Sequence, residues 1–457
     1  MCSKMAFGLL AMWLSVSAAA ASNYHGTVTC TKTGRALKNV YVRIVENNTS
    51  CFTDVEGRFS VIAGNQSEET LVFDKPGFVV LEKRTAGVDT QLDIRLSPRK
   101  ISAASYRMRK YIENQSAYNT LMYSEAAGWK MSFEETELGG DFKPDPELVR
   151  RDPSAVIKVN DLYYVYYTRG KRYSDGPVEK IYPWDQCDIW YATSADGLDW
   201  HEKGPAVVRG ANGRFDDRSV FTPEVLAHDG KYYLVYQAVK TPYNEQTLNV
   251  VAMAVAENPA GPWHKLADPV LFPTHNGIWD TSDTSKRVAL KQGDFDSQKV
   301  HDPCILHYHG KFYLYYKGQR VGENRFYGNR EIMWGVAIAE QPEGPYIKSD
   351  YNPITNTGHE VCVWKYRGGV ASIHTIDGPE ENTIQWSPDG INFEIMATVD
   401  GTPTALGVYR TEHHDKDPAT GIRWGLCTGH GTGTGHWQSN WNYIKRFDVV
   451  ELQDDFD

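Results

Sequence analysis

Three stretches of the chain share one pattern, a tight turn followed by an aromatic strand. Residues 160–167 read NDLYYVYY, residues 229–236 read DGKYYLVY, and residues 309–316 read HGKFYLYY. Turn residues placed before a run of aromatic and branched side chains are typical of hairpins in antiparallel sheets. Because the pattern recurs along one chain, it predicts a repeat architecture.

A second turn closes each copy before a further aromatic residue. These turns read ADGLDW at 195–200, PAGPW at 259–263 and PEGPY at 342–346, and a fourth copy ends with PDGINF at 388–393. A less regular fifth copy runs from about residue 405 to residue 450. Five units of roughly four strands each predict an all-β fold, namely a five-bladed β-propeller. In a propeller the sheets are arranged radially around an axis, which protects the strand edges that an open sheet would expose. A large sandwich or barrel is the alternative.

The composition is that of an ordinary globular protein and limits the partners. A length of 457 residues allows two or three domains. The 48 Lys and Arg residues against 58 Asp and Glu residues give a net charge of −10, which argues against nucleic acid or an anionic membrane as partner. Aromatic residues make up 12% of the chain, which suits β structure.

The first 22 residues predict a secretory signal peptide. Lys4 is the only charged residue before an apolar run from Met5 to Ala21, and alanines at 18–21 supply an A-x-A cleavage pattern. An uncleaved membrane anchor is the alternative. The chain is therefore predicted to be exported, periplasmic or secreted, without a membrane span in the mature protein.

Residues 23–98 predict a small separate β-sandwich. Alternating runs at 40–44 and 58–62 are separated by turns at 31–34 and 54–57, and no helical period appears. The stretches at 26–30 and 53–61 resemble the carboxypeptidase-regulatory-like, transthyretin-type domain. That resemblance implies an accessory role without chemistry.

The cysteines indicate structural roles. Cys30 and Cys51 lie in this small predicted domain, and export would allow them to form a disulfide. The other cysteines are widely spaced and are predicted to be small buried hydrophobic residues: Cys187, Cys304, Cys362 and Cys427.

Residues 99–147 are assigned to a linker and a helical segment, and residues 148–457 to the propeller. Ser102 is placed to cap a helix, and the residues after it tolerate one.

The starts of the innermost strands should converge on the axis of a propeller. They read RDPS at 151–154, FTPE at 221–224, HDPC at 301–304 and GHEV at 358–361. A proline favours extended backbone in the residue before it, which would project the side chain from the strand start. Acidic groups from several blades and one histidine are therefore predicted to share a pocket.

Clustered carboxylates suit the cleavage of glycosidic bonds. One group must activate water and another must protonate the leaving oxygen, and crowding separates their pKa values. The alternative is that each Asp-Pro pair only makes a turn.

At these residues the chain resembles glycoside hydrolase family 117, the exo-acting α-1,3-(3,6-anhydro)-L-galactosidases or neoagarobiose hydrolases. The resemblance covers roughly residues 100–452. It includes the sequence SAASYR at 102–107, which matches the family's S-x-A-x-x-R motif, and the RDPS, HDP and GHE stretches in order. The motif implies a helical element exchanged between two subunits of a homodimer.

The resemblance implies an inverting mechanism. Asp152 would be the general base, Asp302 would tune the acid's pKa and hold substrate, and His359 would be the general acid. Glu360 is the competing acid, as in arabinanase-type propellers. If this stretch is extended, consecutive side chains face opposite ways and only one of the two should reach the pocket.

The same alignment implies substrate contacts from Trp190, Thr222 and Gln237. Trp190 would stack on the sugar, with packing inside a blade as the alternative. Glu224 is a further pocket candidate without an assigned role.

The fifth copy contains GHGTGTGH at 429–436, which does not fit a dinucleotide-binding loop. His430 and His436 are candidates for holding one divalent cation at the propeller axis, with a structural role as the alternative. No organic cofactor is expected.

Three functions follow from these patterns. The first is an exported hydrolase that releases 3,6-anhydro-L-galactose from the non-reducing end of neoagaro-oligosaccharides in agar degradation. The second is an arabinanase- or xylosidase-type glycosidase with Glu360 as the acid. The third is a non-catalytic sugar-binding propeller.

Overall fold

The computed structural model describes residues 23–64, 66–86, 91–114, 129–174, 176–282, 288–323, 332–399, 401–410, 421–431 and 441–454. The chain divides into two compact units between Pro98 and Arg99. The predicted signal peptide, residues 1–22, lies outside the described residues. Within the described part, no helix has both the length and the apolar character needed to cross a bilayer.

The first unit is built of short strands in two sheets, one with the order β4-β1-β7 and one with the order β3-β2-β5-β6. Side chains in β4 and β7 alternate between exposed and buried positions, so one face of this sheet contributes to a core with Val28, Val42 and Phe73. The strands are β1 (Asn23–Cys30), β2 (Tyr41–Ile44), β3 (Ser50–Phe52), β4 (Arg58–Ile62), β5 (Glu68–Asp74), β6 (Leu81–Ala86) and β7 (Gln91–Leu96).

The cysteines of the first unit are not joined. Cys30 lies on β1 and Cys51 on β3, in different sheets, and both are free thiols. The disulfide allowed by the sequence is therefore not formed. The predicted burial of the four cysteines in the second unit is confirmed.

The described part of the second unit is nearly all β, with one helix, α1 (Ala103–Glu113). Helix α1 packs against residues of its own chain, and its exchange between subunits stays a prediction. The strands that follow are β8 (Trp129–Glu137), β9 (Gly139–Gly140), β10 (Leu148–Arg151), β11 (Ile157–Val159), β12 (Leu162–Lys171), β13 (Asp188–Ser194), β14 (Asp199–Val207), β15 (Ser219–His228), β16 (Lys231–Val239), β17 (Asn249–Ala256), β18 (His264–Lys265), β19 (Ile278–Trp279), β20 (Ala289–Lys291), β21 (Lys299–Tyr308), β22 (Lys311–Gln319), β23 (Met333–Ala339), β24 (Ile347–Lys348), β25 (Val363–Tyr366), β26 (Gly369–His374), β27 (Thr383–Ser387), β28 (Glu394–Thr398), β29 (Gly407–Val408), β30 (Trp424–Gly431) and β31 (Trp441–Asp454).

These strands form successive antiparallel groups along the chain: β10-β12-β13-β14, β15-β16-β17-β18, β21-β22-β23-β24, β25-β26-β27-β28 and β29-β30-β31-β8. The aromatic strands of the sequence repeat are β12, β16 and β22, the second strand of the first three groups. Strand β8 comes before all the other groups in sequence, yet it pairs with β31 near the end of the chain. Residues assigned from sequence to the linker and helical segment therefore complete the last sheet.

A β-bulge interrupts the same place in several groups. In β15, Thr222 and Pro223 lie opposite the single residue Tyr236, and in β21, Asp302 and Pro303 lie opposite Tyr316. Bulges bend a strand and redirect its side chains, and they are frequent beside active sites.

Candidate active site

Most of the predicted site residues line one cavity of about 260 Å³. Its lining includes Asp152, Thr222, Gln237, Asp302, His359 and Glu360. These side chains lie on or directly beside the strands of four of the antiparallel groups, so the sequence repeat brings equivalent positions to one opening.

The backbone at the strand starts differs from the expected geometry. Asp152, Thr222 and Asp302 have φ angles of 50°, 48° and 48°, in the left-handed region rather than the extended one. The expectation based on the following proline was therefore wrong. At Thr222 and Asp302 this conformation coincides with the β-bulges, and Asp152 adopts it directly after the end of β10. It is unfavourable for a β-branched residue such as Thr222 and persists only where the surrounding structure enforces it.

Two neighbours hold the carboxylate of Asp152. Arg151 Nε donates to Asp152 Oδ2 at 2.7 Å, and Thr222 Oγ1 donates to the same oxygen at 3.2 Å. Among the described residues, no hydrogen bond occupies the other carboxylate oxygen, Oδ1. Asp152 is thus fixed in orientation while keeping one oxygen able to accept a proton.

Asp302 forms a buried ion pair with Lys317, and both side chains line the cavity. Burial raises the pKa of Asp302, Lys317 lowers it, and the nearby charges of Glu360 and Asp152 raise it again. Lys317 therefore helps to keep Asp302 ionised in a setting that otherwise favours the neutral acid.

Removing this cation should move the pH profile of the enzyme. In Lys317→Met the pKa of Asp302 should rise further, because the positive charge that favours the carboxylate is gone. When the pH is lowered, Asp302 should therefore take up its proton, and the activity should be lost, at a higher pH than in the wild type. We expect the acidic limb of kcat/KM to move up by about one pH unit or more. Lys311→Met is the matched control, because Lys311 lies at the exposed end of the same strand and pairs with exposed Glu340. An unchanged acidic limb in Lys317→Met would contradict the assignment.

Both candidate acids reach the cavity. His359 and Glu360 lie in a bend before β25, and His359 Nε2 is 3.9 Å from Glu360 Oε1. The expectation that only one of them would face the pocket assumed an extended strand and was wrong. His359 Nδ1 bonds to Asp377 Oδ2, and Thr375 Oγ1 donates to Glu360 Oε2 at 3.4 Å.

Gln237 borders the cavity, and its amide nitrogen is held by Asn249. Asn249 Nδ2 donates to the Thr247 carbonyl, so Asn249 Oδ1 accepts from Gln237 Nε2 at 2.6 Å. Within the described structure, the buried Gln237 Oε1 has no hydrogen-bond partner. A buried polar atom without a partner is costly, and the substrate contact of Gln237 stays a prediction.

Trp190 does not line this cavity. It is half-buried on β13, packs against the core around Phe142 and Trp200, and carries the Arg169 guanidinium 3.8 Å from its ring centre. This placement agrees with the alternative, packing inside the sheet group, and the sugar contact of Trp190 stays a prediction. Trp184 is an aromatic residue that does line the cavity.

Glu224 does not line this cavity. It borders a separate space of about 20 Å³ and forms a buried ion pair with Arg410, with 2.9 Å between Glu224 Oε1 and Arg410 Nη1. Glu224 Oε2 accepts from the amide of Ala155 at 3.0 Å. The buried ion pair indicates a structural role, and a role for Glu224 in the pocket stays a prediction.

The described residues do not assemble a metal site. They contain no group of three or more His, Cys, Asp or Glu side chains able to hold an ion. His430 Nδ1 is 3.0 Å from Asn442 Nδ2, and burial together with the charge of Arg151 lowers the pKa of His430. His436 lies outside the described residues. An axial cation stays a prediction, and no chemical step is derived from it.

Several residues at the cavity were not predicted from the sequence. One of them, Lys317, could have been found from the sequence repeat. Aligning the three aromatic strands places Thr168, Gln237 and Lys317 at the same position, directly after the last tyrosine. Of these, Gln237 was named as a site residue through the family resemblance, and Lys317 was not named. Trp184 and Asp377 lie in loops between repeat elements, where the pattern carries no signal.

Comparison with known proteins shows which class of enzymes the fold belongs to. Residues 146–282 match the family described as glycosyl hydrolases family 43. A solved structure from Xanthomonas citri, a GH43 enzyme, is 14% identical, covering 72% of this chain and 92% of that chain with a TM-score of 0.42. No curated protein matches. The class is that of the propeller-type glycoside hydrolases.

The family follows from a second solved structure. A family 117 glycoside hydrolase produced by the marine bacterium Zobellia galactanivorans is 33% identical, covering 70% of this chain and 90% of that chain with a TM-score of 0.58. The chain belongs to glycoside hydrolase family 117, and it is an enzyme, a glycosidase.

Proposed function

We propose that this protein is an exo-acting, inverting hydrolase that releases 3,6-anhydro-L-galactose from the non-reducing end of neoagaro-oligosaccharides. The observation that carries the proposal is the cavity shared by Asp152, Asp302 and His359. Membership of family 117 supports the sugar class.

In the proposed reaction each proton has a defined donor and acceptor. Asp152 accepts a proton from a water molecule as the water oxygen bonds to the anomeric carbon. The glycosidic C–O bond breaks, and His359 Nε2–H gives its proton to the leaving oxygen, with Asp377 bonded to the other ring nitrogen. The ionised Asp302 would stabilise the positive charge that develops on the sugar.

The charges around the cavity favour a neutral sugar. Its ionisable lining, histidines apart, has five acidic residues and three basic ones: Asp152, Glu245, Asp302, Glu323 and Glu360 against Arg151, Lys299 and Lys317. Arg151 and Lys317 are already paired with the two aspartates. A sulfate or carboxylate group on the sugar would meet net repulsion here.

The choice of acid can be tested directly. We expect His359→Ala to lower kcat on neoagarobiose by about 10²–10⁴-fold, the usual contribution of a general acid, and Glu360→Gln to have a smaller effect. His201→Ala is the control, since His201 is 62% exposed and does not line the cavity. Near-normal activity in His359→Ala would transfer the acid role to Glu360. That result would favour the arabinanase- or xylosidase-type alternative, for which the presence of Glu360 in the cavity is the supporting observation.

The activity itself is tested by product analysis. The purified enzyme is incubated with neoagarobiose, longer neoagaro-oligosaccharides and aryl arabinosides, and products are followed by chromatography and by NMR of the first-formed anomer. We expect release of the terminal anhydro sugar with inverted configuration. Cleavage of the arabinosides alone would overturn the proposal.

The remaining features belong to the same proposal. We infer a five-bladed arrangement for the successive sheet groups and a β-sandwich for the two sheets of residues 23–98. We further infer export to the periplasm or medium and a homodimer that exchanges α1.

A further inference from the structure

Helix α1 is attached to the region that carries both candidate acids. Ser102 Oγ caps the helix by accepting from the amide of Ser105 at 3.1 Å, and it also donates to the Pro353 carbonyl at 2.7 Å. Ala104 is fully buried, and its carbonyl accepts from Asn356 Nδ2 at 3.4 Å. The first two fixed positions of the S-x-A-x-x-R motif thus contact the segment just before His359.

The third position of the motif, Arg107, binds a buried carboxylate. Its Nε and Nη2 donate to the two oxygens of Glu380 at 2.6 and 3.1 Å, and Nη1 donates to the Phe393 carbonyl at 2.7 Å. The Glu380 side chain is 0% exposed. A buried carboxylate needs such a partner, and the planar guanidinium fixes its direction as well as its charge.

Glu380 ends a short loop, residues 375–380, that contacts both acids. In this loop Thr375 bonds to Glu360, and Asp377 bonds to His359 Nδ1. The loop lies directly on the segment that precedes His359, since the amide of Glu380 donates to Thr357 Oγ1 at 2.8 Å. At Gly378, where φ is +144°, an added Cβ would lie 2.4 Å from Thr357 Oγ1. The 375–380 loop and the His359 segment therefore cannot move independently.

We propose that Arg107 is a positioning residue for the acid of the reaction, acting through Glu380 and the 375–380 loop. The inference rests on the proposed function only in that His359 or Glu360 is the acid, because the loop touches both. A helix outside the sheet groups thereby becomes part of the machinery that orients the proton donor, without touching the substrate.

A displaced acid has a kinetic signature that general loss of structure lacks. Protonation matters most when the leaving group is a poor one, such as a sugar hydroxyl, and least when it is a nitrophenolate. We expect Arg107→Ala to lower kcat on neoagarobiose by about 10²-fold, with KM little changed, and to lower kcat on the nitrophenyl glycoside of the same sugar much less. Arg109→Ala is the matched control, an exposed arginine on the same helix, and should retain full activity on both substrates.

Further variants keep the experiment decisive. His359→Ala, measured on the same two substrates, shows the signature of a lost acid. If Arg107→Ala does not yield folded protein, Arg107→Lys keeps the charge but not the two-pronged geometry, and should show the same imbalance to a smaller degree. Equal losses on both substrates, or none, would overturn the inference. If the wild-type enzyme does not cleave neoagarobiose, that result would instead count against the proposed substrate. The losses of kcat on a natural glycoside and on its nitrophenyl analogue would then be compared for whichever sugar the enzyme cleaves.

Discussion

Asp152→Asn should lower kcat by about 10³-fold or more while the protein still folds and binds its sugar. The amide keeps the shape of the carboxylate but cannot take the proton of the attacking water. Arg151 and Thr222, which now donate to Asp152 Oδ2, can still donate to the amide oxygen, so the strained backbone at this position keeps its anchors. The loss should therefore fall on kcat rather than on KM.

The measurement is steady-state kinetics combined with calorimetric binding of neoagarobiose. Asp161→Asn provides the matched control, because Asp161 is a fully exposed turn residue of the same sheet group and should tolerate the change. Added azide gives an independent readout, because a small anion can replace water as the nucleophile when the base is missing. Asp152→Asn with activity within tenfold of the wild type would remove Asp152 from the role of base.

Much of the site could be predicted from repeat-equivalent positions. The motifs containing Asp152, Thr222 and Asp302 occupy the same place in successive copies, and the structure places these three residues in one cavity. The prediction that these residues meet succeeded because, in a fold built of similar units, residues at corresponding positions of the repeat have similar surroundings. It did not depend on the local backbone, which was predicted wrongly at all three.

The errors have local physical causes. The proline after each strand start favours extended backbone, but Asp152 and Asp302 both lie in the left-handed region, and at Asp302 a bulge in β21 overrides the preference. The family resemblance implied that Trp190 stacks on the sugar, whereas Trp190 on β13 packs in a core and the cavity lining includes Trp184 from a loop. Loops are the part of the fold in which neither alternation nor the repeat constrains side-chain direction.

The buried ion pair between Glu224 and Arg410 gives the largest expected effect on stability. Arg410 contacts residues from several sheet groups: its backbone amide donates to the Val156 carbonyl, and its guanidinium reaches Glu224, Cys304 and the Val363 carbonyl. Arg410→Met would leave Glu224 buried without a cation and would remove all the guanidinium contacts together, while the backbone bond to Val156 would remain. We expect a loss of about 3–5 kcal/mol in the free energy of unfolding, the usual cost of removing one partner from a buried pair.

Tryptophan fluorescence during denaturation can measure this loss in the second unit alone, because residues 23–98 contain no tryptophan. Lys231→Met is the control, since it breaks an exposed pair with Glu257 and should cost about 1 kcal/mol or less. In the double variant Arg410→Met with Glu224→Gln no buried charge remains, so its loss should be smaller than the sum of the two single losses by about 1–3 kcal/mol. Additive losses would mean that Arg410 stabilises the unit through its carbonyl contacts alone and that the charge of Glu224 is satisfied by other groups, such as the amide of Ala155.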